Sequence, residues 1–175
     1  VKNIARPVRA YRIDTGVRAE LAPPAADLDA VFRRPAVAVL PFDNLTHDPE
    51  QEYFADGLTE DIIMALSHWR TFPVIARNST FTYKGHPAKA QQVAAELGAR
   101  YVIEGSVRKG GSQVRINVQL IDAATGHHVW AEHYDRRIDD IFEVQDEIAE
   151  RIACMVAPEL ERAELETGAG AHGRI

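Results

Sequence analysis

Only one cysteine, Cys154, stands among 175 residues, so no intrachain disulfide can staple this chain. Its stability has to come from a packed core, and a reducing compartment suits that composition. Positive charge is in deficit: 20 Lys and Arg against 26 Asp and Glu leave a formal net charge of −6. That balance argues against the basic footprint with which a domain grips nucleic acid or an anionic membrane. Long apolar runs are missing as well. No stretch approaches the ~18 apolar residues that a membrane-spanning helix needs, and VKNIARPVRAYR at the start lacks the apolar core of a signal peptide. Neither G-x-G-x-x-G nor G-x-x-x-x-G-K-[ST] occurs, which removes the familiar phosphate cradles. Ser79 and Ser106 lack a G-x-S-x-G setting, and no His or Cys spacing supplies the three or four convergent ligands of a zinc site.

What remains is a globular balance, 46% hydrophobic and 26% charged, enough for one ordinary domain with its ends. There is no starting Met, and the chain reads as a piece of something longer. Residues 1–14 look like the end of an upstream domain. Residues 15–34, with Pro23-Pro24 and many alanines and charges, read as a linker. Regular punctuation begins at 35. AVAVLPF (36–42) is apolar on both sides, as a strand buried on both faces should be. Asp48, Pro49 and Gln51 then make a capping-box start for a helix whose apolar face is Phe54, Leu58, Ile62, Ala65, Leu66 and Trp69. FPVIA (72–76) reads as a second strand, 78–87 as a loop, and 88–98 as a helix with Gly98 as its left-handed cap.

The stretch 100–136 reads as an antiparallel meander. With Gly110-Gly111 as the first turn, Val107 faces Val114 and Tyr101 faces Leu120. With AATG as a four-residue loop, Leu120 faces Val129 and Ile116 faces His133, which puts His133 on the apolar face. The final segment, 138–166, is a helix with Ile141, Val144, Ile148, Ile152, Met155 and Val156 inward, Cys154 as a small core residue and Pro158 as a kink or break. Residues 163–175 are expected to be a disordered tail. The expected fold is therefore α/β (α+β), in the order β-α-β-α-β-β-β-α. It has a mixed sheet of about five strands, helices packed on its apolar face, and a C-terminal three-stranded meander.

Three sets of residues could carry chemistry. Glu52, Asp56 and Glu60 fall at i, i+4 and i+8 on one helix face, which could hold a cation or do acid–base work. A solvated face favoured by the helix dipole explains them with less, and no metal site is assigned. Asp43, Asn44 and Arg77 lie at strand ends, where a small ligand could bind. The polar meander face is expected to gather Arg115, Asn117, Gln119, Trp130, Glu132 and Tyr134, with Gln119 opposite Trp130, Asn117 opposite Glu132 and Arg115 opposite Tyr134. Trp, Tyr and Arg dominate interaction hot spots, so that face is a candidate partner surface. An RNA-reading sheet would also show aromatics but would want a basic field.

AVAVLPFDNL, EYFADGLTEDIIMALS, FPVIARNSTFTYKG, VAAELGARYVIEGSVRK, INVQLIDAATGHHVWAEHYDR and IDDIFEVQDEIAERI together resemble the TolB amino-terminal-like (FlgO-like) domain over about residues 35–162. The form is the one fused behind class III adenylate/guanylate cyclase domains, often with tetratricopeptide repeats. VKNIARPVRAYRI resembles the last strand of such a cyclase domain. The resemblance implies an α/β fold with no catalytic residues of its own and no cofactor. It implies a regulatory or interaction role in a cyclase-type signalling protein, on the cytoplasmic side where ATP is. Expected partners are the cyclase and repeat domains of the same polypeptide or another protein, with a homodimer also open and neither nucleic acid nor membrane insertion expected. A ligand- or nucleotide-binding regulatory domain is the alternative, and a hydrolase using the acidic cluster comes third.

Overall fold

The computed structural model describes residues 35–171 except 47, 71, 87 and 139. Residues 1–14, read as the end of an upstream domain, residues 15–34, read as a linker, and residues 172–175 lie outside the described residues. Strand β1 (Ala36–Val39) is buried along almost its whole length, which is why its apolar run does not alternate. It lies parallel to β3 (Ala99–Gly110), with Val37 beside Tyr101 and Val39 beside Ile103. The two-residue strand β2 (Asp43–Asn44) continues along the same edge of β3, beside Ser106 and Val107. Strands β4 (Gln113–Asp122) and β5 (His127–Arg137) complete an antiparallel meander, and the path across the sheet is β1-β3-β4-β5. The expected mixed α/β architecture is thus the observed one.

Helix α1 (Pro49–His68) starts where Asp48 predicts. The Asp48 carboxylate accepts the Glu50 amide at 3.1 Å, and Pro49 fills a position whose amide needs no partner. Gln51 does not close the box: it is buried, and its Oε1 has no protein partner. Helix α2 (Arg77–Thr80) and a 3₁₀ turn (Phe81–Tyr83) replace the expected loop, while FPVIA contributes one parallel bridge, Val37 to Val74. Helix α3 (Ala90–Leu97) ends at Gly98 with φ +67°, the left-handed cap read from the sequence. Helix α4 (Ile141–Ala171) runs through Pro158 and continues past the expected start of a disordered tail at 163.

The main core lies between one sheet face and helices α1 and α4. Tyr101, Ile103, Ile116 and Leu120 meet Phe54, Leu58, Ile62, Ile148 and Ile152, all essentially without solvent contact. Each buried aliphatic side chain of this size is worth about 1.5–3 kcal/mol relative to leaving it exposed. A smaller cluster on the other face packs Val93 and Ala94 of α3 against Leu40 and Val102. Three residues of the expected apolar stripes are outside: Trp69 is 45% and Met155 46% exposed, and Cys154 is exposed.

The meander register differs from the expected one twice, with unequal consequences. The first turn is Gly111-Ser112, not Gly110-Gly111, so Val107 pairs with Ile116 and Ile103 with Leu120. Gly111 has φ +61°, as a hairpin turn with glycine at its first central position requires. This is a two-residue slip, and side chains keep their faces. In the second hairpin the pairing jumps from Leu120–Trp130 to Ile121–His128, leaving Val129 as an extra residue. A one-residue bulge reverses every face beyond it. Trp130 therefore packs against the core and Tyr134 is 5% exposed, whereas His133 turns out to the polar face.

Candidate functional site

The bulge divides the expected partner surface. Arg115, Asn117 and Gln119 keep company with Asp135, His133 and Ala131, while Trp130 and Tyr134 join the core; Glu132 shares their row but is exposed and lines an open groove. The Tyr134 hydroxyl donates to Glu132 Oε2 at 3.0 Å, and burial first, then that carboxylate, pushes its ionisation above the usual tyrosine range. Arg115 is occupied by a two-pronged pair with Asp135, both contacts at 2.6 Å. The six side chains do not form one surface.

Part of that set meets the loop set in an open groove of about 1010 Å³ on the polar sheet face. Its floor is built from cross-strand pairs. Asn117 Nδ2 donates to Ser106 Oγ at 3.1 Å, and Gln119 Nε2 donates to Glu104 Oε1. Asp43 and Asn44 of β2, with Leu45 at the start of the β2–α1 connection, border it on one side, and Tyr83, Lys84 and His86 on the other. Asn44 holds the connection in shape: its Nδ2 donates to the Asp48 carbonyl at 2.8 Å, and its Oδ1 accepts the Thr46 amide at 3.0 Å. Arg77 is not among the groove-lining residues; it pairs with Glu60 at 3.2 Å and lies 3.9 Å over the Phe81 ring.

The acid stripe of α1 is neither a bare solvated face nor a cation site. Lys84 Nζ reaches Glu52 Oε1 at 2.7 Å and Asp56 Oδ2 at 2.5 Å, and Arg77 takes Glu60. The stripe is a rail on which cations of residues 77–84 clamp that segment against α1, and the clamp sets one wall of the groove. The Lys84 hydrogen bond holds the Glu52 carboxyl below its ordinary range, the wrong direction for a general acid. Burial opposes the charge on Lys84, but its bonds to Asp56 and Glu52 outweigh that and raise its pKa. Among the described residues no three His, Cys, Asp or Glu side chains gather as metal ligands would. In the sequence Lys84 stands only as one residue of the expected loop 78–87. The signal was the acid ladder itself, which asks for counter-cations without saying where they come from.

Fold and groove together define a mixed α/β domain with a solvent-open groove of mixed polar and apolar lining on one sheet face. The chain belongs to the family described as HilA/YgeH-like transcriptional regulator, second domain, which matches residues 33–151. It is 52% identical over 157 residues to a protein of Rhizobium meliloti (strain 1021) named putative adenylate cyclase 3. That match takes in 87% of this chain but 26% of the relative, so the chain spans about a quarter of that protein's length. Among solved structures, the PelC dodecamer from Paraburkholderia phytofirmans aligns with a TM-score of 0.50 at 25% identity, over 69% of this chain and 85% of PelC. TolB from Acinetobacter baumannii aligns at 0.48 and 18% identity, over 70% of this chain and 28% of TolB, too distant to carry an argument.

Proposed function

We propose that this domain is a non-catalytic regulatory module of a cyclase-type signalling protein, and that the groove is its recognition surface. The observation that carries the reading is the groove's construction. Asn117, Gln119 and Ser106 form a rigid, hydrogen-bonding floor on strands, and the Lys84 clamp fixes a wall. A floor on strands with walls held in place suits recognition, since binding sites are usually largely pre-formed. Two of the carboxylates that line the groove, Glu52 and Glu104, are paired with a lysine and an amide, as recognition tolerates and acid–base chemistry does not. The family and the relative support a regulatory role from a second side. One is named for transcriptional regulators and the other for an adenylate cyclase, so similar domains accompany different outputs. Within this proposal the domain is FlgO-like, adjoins cyclase and repeat domains, and works on the cytoplasmic side.

The test is made in a full-length protein carrying the domain. Asn117→Ala with Gln119→Ala should change cyclic-nucleotide output or partner capture while the isolated variant chain still folds. Unchanged output and unchanged capture would sink the reading. A thermal-shift screen of the chain with nucleotides and divalent cations decides the small-ligand alternative, since a bound ligand raises the melting temperature by mass action. The groove also presents Asp43, Glu52 and Glu104, which disfavours a ligand with several phosphates.

A further inference from the structure

The two edges of the sheet are treated differently. Beyond β1, Val37 donates to the Pro73 carbonyl at 2.9 Å and accepts from the Ile75 amide at 2.8 Å, so the connecting segment closes that edge. Beyond β5 no strand lies among the described residues; β4 is its strand partner. An eleven-residue edge strand presents a row of backbone donors and acceptors, the template to which another strand adds. β5 contains neither Lys nor Pro, but it carries Glu132 and Arg136 on its core-facing row, charges that guard an isolated edge unless an added strand matches them.

We propose that β5 pairs antiparallel with β5 of a second copy of this chain, centred on Tyr134, joining two sheets into one. Charge selects both the occupant and the register. Two-fold pairing sets residue i opposite a residue of the same face, so the centre can be tried at each position in turn. Centred on Glu132, Asp135 or Arg136, a charge faces its own copy, which is unfavourable. Centred on His133, Glu132 faces Tyr134 and Asp135 faces Ala131, with no ion pair; centred on Trp130 or Ala131, only one carboxylate meets a histidine, Glu132 opposite residue 128 or Asp135 opposite residue 127. Centred on Tyr134, Glu132 faces Arg136 of the partner subunit and His133 faces Asp135 of the partner subunit, and symmetry makes each pair twice. The same register sets Trp130 opposite Ile138 of the partner subunit, and both are half-buried hydrophobics at the margin of the core. The pairing would also bring two grooves onto one continuous face, because His133 and Ala131 line the groove beside this edge.

The test uses the whole 175-residue chain. Sedimentation should show a monomer–dimer equilibrium. Glu132→Arg alone and Arg136→Glu alone should each weaken it by about tenfold, as reversing symmetric cross-strand pairs predicts, and the double exchange should recover most of the loss. Arg136 also bonds Glu147 at 3.0 Å, so a variant that melts early could mislead. A second measurement avoids this. In a Cys154→Ser background, Ala131→Cys and Arg137→Cys chains should cross-link when mixed and oxidised, and neither should do so alone, because residue 131 faces 137 only across this interface. A chain that stays monomeric at every concentration overturns the proposal, as does a mixture that cross-links no better than its components.

Discussion

Replacing Lys84 by Met removes the cation of the acid rail and keeps most of the side chain's apolar stem. Lys84 bridges Glu52 and Asp56, whose side chains are 41% and 25% exposed, with its own at 32%. Exposed ion pairs contribute about 0–1 kcal/mol, whereas leaving a desolvated charge without its partner costs about 3–5 kcal/mol. These groups sit between those limits, nearer the first, and Asp56 Oδ1 is buried with no partner besides. The expected loss is about 1–2 kcal/mol in urea unfolding, or a fall in melting temperature of roughly 3–6 °C for a chain of this size. The pH dependence supplies a second readout. Glu52 has a depressed folded pKa, so its contribution is present above the unfolded carboxyl value and fades as pH falls through the folded one. The native chain should therefore lose stability more steeply below about pH 4 than the Lys84→Met variant, in which Glu52 titrates nearer its ordinary value. Lys84 has a raised pKa, so its share is complete below the unfolded lysine value and is lost only as pH rises through the folded one, above about 10.4. A loss under a few tenths of a kcal/mol, with parallel acid limbs for the two proteins, would refute the rail.

Other outcomes follow from the packing. Gly105→Ala places a Cβ 2.4 Å from the Asn117 carbonyl oxygen and 2.5 Å from the Phe42 ring, so denaturant unfolding should show a loss of about 1–3 kcal/mol. Trp130→Ala removes a half-buried ring from the core margin and should cost about 2–3 kcal/mol; a neutral result would return Trp130 to the surface. Pro158→Ala, at an exposed site inside α4, should raise helical circular dichroism and stability by about 1–3 kcal/mol, because an interior proline removes one helix hydrogen bond and crowds the preceding turn.

The residues that could be read and those that could not differ in the range of the physics behind them. Asp48-Pro49 and Gly98 announce helix ends because capping is settled within a few residues, and both behave as read. The apolar stripe of α1 is equally local at Phe54, Leu58 and Ile62. The meander's existence was local too, but its faces were not. Gly110-Gly111-Ser112 offers two overlapping turns, and choosing the wrong one moved the register by two residues, which side-chain alternation forgives. The bulge at Val129 moved it by one, which alternation does not forgive, and no glycine or proline marks the place. One unmarked residue therefore exchanged Trp130 and Tyr134 for Ala131 and His133 on the polar face, and with them two of the six expected surface residues. The acid stripe failed to be legible for a different reason: its partners stand 17 to 32 positions away, Arg77 from Glu60 and Lys84 from Glu52. Charge spacing on a helix states a need that only the tertiary fold can answer. The same limit bears on β5: its acids and bases complement their own reverse about Tyr134, an order that the proposed pairing of two copies would use although Arg115 and Glu147 already engage Asp135 and Arg136 within the chain.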